Sequence, residues 1–590
     1  MNDPMNHAVV ETALTDQAPV DSLLLEIIRN GFSTVADEMA LILMRSAHSM
    51  IVRDSMDYST AICDAKGRIV GQGLTTPMHL GSFYDAMQHL IGQYDGQIAP
   101  GDLYIGNDPY LASGQHLPDI YIIAPIFHRG VLEGFATTIA HHADIGGIVA
   151  GSNSIGATEI FQEGLRLPFL KLHDAGVVNG AILDIVRANV RVPEKVMGDL
   201  QAQIAACRAG LRGYDELFVR YGSSTMRRYI EALHDYAETL ARQQIARLPD
   251  GIYSFEDMID GLGENPEPIR LFVKVIIDGD TITTDWTGTA PQVKGGINAP
   301  LSFLKSNVYA ALRAMMTEDV PNCHGFTRPM RVIAPEGTLV NCVHPAPCGA
   351  RGITGYRIAD CLFGALAQAA PESVTADGAG GSTLPTIAGW QNGEPFVFSE
   401  CVMGTWGASQ GHDGQSGVPH MCSNQSNVPI EMIEAEYPIR IERYGFVADT
   451  GGPGEFRGGL GLVREYRALA DDLSLSVRAD KKDFPPHGLS GGQVGAACES
   501  VLNPGVGARD LPMLFTSPIT LAAGDLFRHV MAGGGGFGSP LARDPRSVLR
   551  DVEDELLTIE AARRDYGVVV AGAPPALNIT ATADLRRSLS

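Results

Sequence analysis

Two stretches decide the reading of this chain: Gly106-Asn107-Asp108-Pro109-Tyr110-Leu111-Ala112-Ser113-Gly114-Gln115-His116-Leu117-Pro118-Asp119 and, one strand pair later, Ala140-His141-His142-Ala143-Asp144. His-x-x-Asp occurs twice within 29 residues. Between the two, Asp119–Phe127 and Val131–His141 are rich in β-branched and aromatic residues and flank His128-Arg129-Gly130, the pattern of an antiparallel hairpin. With a three-residue turn, residue 127 opposes 131, and Asp119 opposes Ile139 on the face that also carries His141. Diagonal neighbours on one face start about 7–8 Å apart, close enough to share an ion. A two-residue turn would shift the register by one and put Asp119 and His141 on opposite faces. Imidazole and carboxylate suit Zn, Mn or Fe, and a catalytic mononuclear site uses three or four such ligands with one open position. A single His at a strand end usually serves a local turn hydrogen bond, but five such groups in one patch point to a metal site. The residues themselves favour His116, Asp119 and His141 as ligands, with either His142 or Asp144 in the outer shell and both as candidate catalytic groups.

Outward from this patch, Leu23–Ala47 has the dense apolar spacing of a helix. Ser59–Cys63 and Leu103–Ile105 read as strands, and residues 182 to about 247 as helices broken at Val192-Pro193. Leu248-Pro249-Asp250-Gly251 is a turn. Gly251–Asp260, Leu271–Ile277 and Thr281–Trp286 follow as strands, the last two joined at Asp278-Gly279-Asp280. Helices are expected over Asn298–Met316, Arg357–Ala369 and Pro545–Tyr566, amid a region of short strands rich in Gly and Pro. The expected class is α+β, multidomain, with mixed or antiparallel sheets and segregated helical blocks. The divisions are a frayed lead-in (1–20), a metal-bearing α+β domain with a helical block (21–248), a Gly/Pro-rich α+β region (249–545), and a C-terminal helix and tail (546–590).

A chain of 590 residues with 45% hydrophobic and 19% charged residues has ordinary globular composition and enough length for several domains. Its formal charge of −24 repels a phosphate backbone, which argues against nucleic acid as a partner. Nine cysteines without a CxxC pair fit reduced thiols, and no apolar run approaches about 20 residues, so the expected setting is cytoplasmic and away from membranes. Met531-Ala532-Gly533-Gly534-Gly535-Gly536-Phe537-Gly538 and the Gly451–Gly461 stretch lack both the Lys-Ser/Thr ending of a P-loop and the Gly spacing of a dinucleotide fold, so they read as turns and close backbone packing. Gly407-Ala408-Ser409-Gln410-Gly411 matches a nucleophile-elbow pattern but is followed by His412-Asp413-Gly414, not a helix. Cys342 and Cys348 flank His344, near Cys323 and His324 in sequence, at a spacing that matches no standard zinc motif.

Taken together, Asn107-Asp108-Pro109-Tyr110, His116-Leu117-Pro118-Asp119, Ala140-His141-His142-Ala143-Asp144-Ile145-Gly146-Gly147 and Glu159-Ile160-Phe161-Gln162-Glu163-Gly164-Leu165-Arg166 resemble the hydantoinase B/oxoprolinase family. The likeness continues through Tyr437-Pro438-Ile439-Arg440, Asp449-Thr450-Gly451-Gly452 and Arg457-Gly458-Gly459 to the Gly533–Pro540 stretch. The resemblance implies a B-type subunit that works with an A-type, ATP-binding partner and assembles with it into a larger hetero-oligomer. The partner would spend Mg-ATP to phosphorylate a cyclic amide such as a hydantoin, 5-oxoproline or another lactam, and this chain would open the ring. The same resemblance leaves open a subunit of an acetone- or acetophenone-type carboxylase, or a catalytically inactive structural subunit. It implies one divalent transition metal (Zn, Mn or Fe) on Asp57, His116, Asp119 and His141, of which Asp57 enters by the resemblance alone. Gln115, where such proteins commonly have Thr, and the Ser46–Ile51 segment depart from the pattern and bear on the choice of substrate. Without a phosphate-cradling loop, the isolated chain is expected to show neither ATPase activity nor tight nucleotide binding. Calorimetry with Mg-ATP checks this, and micromolar affinity in the absence of a partner would contradict it.

Overall fold

Leu25, Ile28, Phe32, Val35, Ala36, Met39, Ala40 and Leu43 recur at helical spacing, and in the computed structural model they form the buried face of helix α1 (Ser22–Ser46). Asp21 caps it, its carboxylate accepting from the Leu23 N–H. The structure describes residues 19–73, 76–317, 319–381 and 383–589, so nearly all of the expected lead-in lies outside the described residues. After a helical turn, α2 (Met50–Arg53), the chain builds a seven-stranded antiparallel sheet from β1 (Tyr58–Asp64), β2 (Ile69–Gln72), β3 (Leu103–Gly106), β4 (Asp119–His128), β5 (Val131–His141), β6 (Leu170–Asp174) and β7 (Val177–Val178). The spatial order is β2-β1-β5-β4-β3-β6-β7. Helix α3 (Leu80–Gln93) lies between β2 and β3 in sequence, and α4 (Gly180–Asn189), α5 (Pro193–Tyr221) and α6 (Ser223–Ile245) follow β7.

Both faces of the sheet are covered. Ile120, Ile122, Ala124, Ala136 and Ala140 share a core with residues of α1 and α5 such as Phe32, Leu200 and Cys207. On the opposite face Tyr121, Ile123, Phe135 and Ile139 pack with Phe83, Ala86, Met87 and Leu90 of α3. This is why β4 and β5 read as nearly continuous apolar runs: neither set of alternate side chains meets water.

The β4–β5 hairpin corrects the expected register while keeping its consequence. His128 pairs with Val131, so the turn has two residues, Arg129 and Gly130, both with positive φ (50° and 79°). Such a turn alone would place Asp119 and His141 on opposite faces. An extra residue on β5, between the pairs Phe127–Leu132 and Ile126–Gly134, restores the parity as a β-bulge. Asp119 therefore lies directly opposite His141, where the three-residue turn had put Ile139.

Beyond the turn at 248–251, β8 (Gly251–Ile259), β9 (Ile269–Asp278), β10 (Thr281–Asp285) and β11 (Met330–Ile333) form a second sheet in the order β11-β10-β9-β8, with only the β10–β11 pair parallel. Helix α7 (Leu301–Ala314) packs on α3 and on α8 (Gly352–Leu366), every residue of which is buried. The main hydrophobic core runs from Leu25 through Trp286, Phe303 and Ile358, so it crosses the turn at 248–251. Two antiparallel sheets of four and five strands occupy most of 384–530. The expected C-terminal helix is two helices, Pro545–Glu553 and Ile559–Tyr566. The last residues, expected as a tail, form a two-stranded ribbon and the helix Ile579–Leu589, because Leu577 closes a small core with Val548, Tyr566 and Val570.

The Gly533–Gly536 run is packed backbone to backbone. A Cβ at Gly533, Gly534, Gly535 or Gly536 would overlap the carbonyl oxygens of Thr450, Trp406, His487 and Pro453 respectively. Gly534 donates to Gly459 O and accepts from the Gly452 N–H, tying two glycine-rich segments together. Gly534→Ala is therefore expected to destabilise the chain by at least about 1–3 kcal/mol, the range for overpacking a dense interior. Chemical denaturation measures this, and wild-type stability in the variant would contradict the packing assignment.

Candidate metal centre

Asp57, His141 and Asp119 come from three adjacent strands. Tyr58 pairs with Ala140, so Asp57 is next to His141, and the His141 N–H donates to Asp57 O at 3.0 Å. Asp119 faces His141 from the other side. All three have the parity of the α3-facing side chains, so the register delivers them to one level on one face. Met56, at φ 58°, turns the chain into β1 just before Asp57.

His116 reaches the same place from the loop before β4. Its Nδ1 lies 2.9 Å from Gly349 O. A carbonyl only accepts, so this nitrogen carries the proton and Nε2 presents a lone pair. That lone pair stands 3.2 Å from Asp119 Oδ1, and neither atom has a hydrogen-bond partner. The ring centroids of His116 and His141 are 5.0 Å apart, and His141 Nδ1 is also without a partner.

His79, which no sequence motif marks, is a fifth member. It ends a one-turn segment, Pro77–His79, ahead of α3. Ser59 Oγ donates to Thr76 O and accepts from the Thr76 N–H, so His79 Nδ1, 2.9 Å away, is left to donate to the serine. Its Nε2 then also presents a lone pair, 3.8 Å from Asp57 Oδ1 and 3.7 Å from Asp119 Oδ2. Burial pushes the His79 imidazole down to about 4, so it is neutral at pH 7. His116 is lowered by burial and by Arg351, and His141 falls well below its ordinary range through burial and the neighbouring His116. Burial and the Asp119 carboxylate push Asp57 up to about 7. Burial would raise Asp119 too, but His116, Arg351 and His79 outweigh it and hold Asp119 well below the usual carboxylate range.

These side chains line a cavity of about 20 Å³, room for one water molecule or one ion. Among the described residues, no group of three or more His, Cys, Asp or Glu side chains is placed to hold a metal ion. The Asp119 carboxylate is instead held by Arg351, whose guanidinium also donates to Gln115 Oε1 at 3.0 Å and lies 4.5 Å over the Phe303 ring. The donor chemistry nevertheless fits a divalent cation. Carboxylate and imidazole lone pairs face one another across a buried space, with three polar atoms unpartnered, a costly arrangement unless something positive joins them.

His142 and Asp144 are not brought to this cavity. His142 has the opposite parity, and its Nε2 lies 3.0 Å from Gln203 Oε1 on α5. Asp144 organises a loop: it accepts from the N–H groups of Gly146, Gly151 and Arg191 and pairs with the Arg191 guanidinium at 2.9 Å. Their expected catalytic placement beside the ligands is thus replaced by structural hydrogen bonds. The cysteine group also divides: Cys342 and Cys348 stand with sulfurs 3.5 Å apart beside Tyr110, whereas Cys323 packs toward Leu233 and His324 stacks on Tyr84.

A larger cavity of about 740 Å³ lies back to back with the small one. Pro77, Gly81, Ser306 and Asn424 line the large cavity, whereas their neighbours Met78, His79 and Gln425 line the small one. Gln115 braces this wall, donating to Met78 O at 2.7 Å. His79 and Arg351 could have been flagged only weakly from sequence, as a His just before a helix and an Arg between glycines at a helix start.

The hydantoinase B/oxoprolinase family pattern matches residues 21–540. A protein of Pseudomonas sp. (strain NS671), the putative B component of a D-/L-hydantoinase, is 35% identical over 582 residues, covering 94% of this chain and 96% of that protein. The crystal structure of ATP-dependent caprolactamase from Pseudomonas jessenii superposes with a TM-score of 0.90 at 31% identity, over 97% of this chain and 100% of that one. A nucleotide-free acetone carboxylase structure shares the fold, with a TM-score of 0.89 at 20% identity, over 96% of this chain and 82% of that one. Among the described residues no helix is long and apolar enough to cross a membrane. A match over most of the chain, in sequence and in fold, places it in the hydantoinase B/oxoprolinase family.

Proposed function

We propose that this chain is the B-type subunit of an ATP-dependent cyclic-amide hydrolase, opening the ring of a substrate that an A-type partner has phosphorylated on the amide oxygen. The observation that carries the reading is the convergence of Asp57, His116, Asp119 and His141, with their unpartnered atoms, on one buried cavity. The relative named as one component of a hydantoinase supports the substrate class and the need for a partner.

An unstrained amide is a poor electrophile, and phosphorylation of its oxygen opens its carbon to water. The tetrahedral adduct then breaks its C–N bond as a proton passes to the ring nitrogen, and a second water hydrolyses the resulting acyl phosphate to carboxylate and phosphate. A divalent transition metal held by Asp57, His116, Asp119 and His141 would supply Lewis acidity and bring the pKa of water toward neutrality. The chain's own residues prepare the site. Gly349 O fixes the His116 tautomer, and Ser59 fixes that of His79, so both rings turn lone pairs inward. The neutral His79, beside both carboxylates, is placed to take a proton from the attacking water. Burial of the whole group keeps a reactive phosphorylated intermediate from bulk water.

Two outcomes follow. The purified chain should hold about one divalent metal per molecule by elemental analysis. A His116→Ala, Asp119→Ala double variant should lose it, and stoichiometric metal in that variant would refute the assignment. With wild-type partner, His141→Ala should continue substrate-dependent ADP release while ring-opened product falls at least about 1,000-fold, several kcal/mol of barrier. Assays with hydantoins, lactams, and ketones plus bicarbonate read both ADP and product. A parallel fall of ADP and product, with melting and assembly intact, would place the site in the phosphorylation step. Carboxylated product from a ketone would favour the carboxylase reading.

A further inference from the structure

Arg478 is the least explained group in the small cavity. It is 5% exposed and lines the space with Asp57, His116 and Asp119. Its guanidinium donates to Cys401 Sγ at 3.8 Å, its Nε has no partner, and it forms no carboxylate ion pair among the described residues. A buried cation left in this way is costly.

Its position suggests what it awaits. A Cβ built on Gly352, the first residue of α8, would lie 2.8 Å from Arg478 Nη1, so the guanidinium sits against the start of a fully buried 15-residue helix. The first N–H groups of a helix are short of acceptors, and its dipole favours negative charge there. Arg351, the residue before Gly352, adds a second buried guanidinium whose Nε is also unpartnered. Gly352 lets the Arg478 guanidinium pack directly against the helix start, where any side chain would collide with it.

We infer that Arg351, Arg478 and the N-terminus of α8 form an oxyanion-binding site beside the candidate metal ligands, which takes the phosphate group of the intermediate. This rests on the proposed two-step reaction. The charges agree in sign: two buried guanidinium groups, and a divalent ion where one is bound, all favour an anion of about −2 such as phosphate. The planar fork of arginine also suits phosphate oxygens. Arg351 is shared between Asp119 and the anion, so metal and phosphate should assist each other's binding.

The test is calorimetric titration of inorganic phosphate into the full-length chain, with and without Mn²⁺, alongside metal content and melting curves. The expected result is saturable binding that tightens with Mn²⁺ and weakens at least about 10-fold in Arg478→Gln. Arg478→Lys, which keeps the charge without the fork, should weaken it less and serves if the Gln variant does not fold. Absence of saturable binding, or wild-type affinity in a folded Arg478→Gln or Arg478→Lys chain, overturns the oxyanion site. A chain that holds metal and opens rings yet gives that result overturns this inference alone. A chain that binds phosphate through Arg478 but holds no metal supports the oxyanion site and overturns the metal assignment.

Discussion

The central sheet has no free face, and the rest of the site depends on that. Helices α1 and α5 cover one side and α3 the other, so at the strand ends that carry Asp57, Asp119 and His141 a polar side chain is buried whichever way it points. Asp57, His141 and Asp119 reach the α3 side together because β1, β5 and β4 are neighbours in antiparallel register. A one-residue slip in β5 would send His141 toward α5 and separate it from both carboxylates. The bulge near Glu133 prevents that outcome, which makes an irregularity far from the cavity a determinant of what the cavity contains.

Burial then sets the electrostatics. Two carboxylates, three imidazoles and two guanidinium groups share one small space, and their protonation cannot be assigned one at a time. Asp119 stays ionised with the Arg351 guanidinium paired to it, while burial and the nearby Asp119 carboxylate push Asp57 up. Hydrogen bonds from outside the cavity fix the histidine tautomers. Gly349 and Ser59 therefore belong to the site in function although neither lines it.

The two halves of the chain are not separable modules around this chemistry. The candidate metal ligands come from residues before 145, whereas Arg351, Tyr356, Cys401 and Arg478 come from after the turn at 248. Helix α8 connects them: its start faces the cavity, while Arg357 and Asp360 join a buried charge network with Asp257, Asp480 and Lys481. The glycine-rich segments of the later half have a structural use, letting backbones approach where no Cβ fits. This is a physical reason for the family likeness to extend through those glycines as well as the His and Asp motifs.

By itself the sequence determined most helices and strands of the first 315 residues, because apolar periodicity and turn residues act locally, but it missed helix α3 (Leu80–Gln93), which lies in a stretch read as short strands. It also determined that His116, Asp119 and His141 form a group, since their spacing constrains them to one hairpin and its entry loop. Asp57 could be named only through family resemblance, because its neighbour His141 is remote in sequence and β1 pairs with β5 by a long-range contact. His142 and Asp144 were expected beside the ligands, in the outer shell. Strand parity separated the first, and Arg191 claimed the second. His79, Arg351 and Arg478 carry no motif that marks them, and only tertiary packing brings them to the same cavity. Local sequence specifies which elements form and which side chains share a face. Which distant groups meet across that face, and with what charge, is decided by how the elements pack.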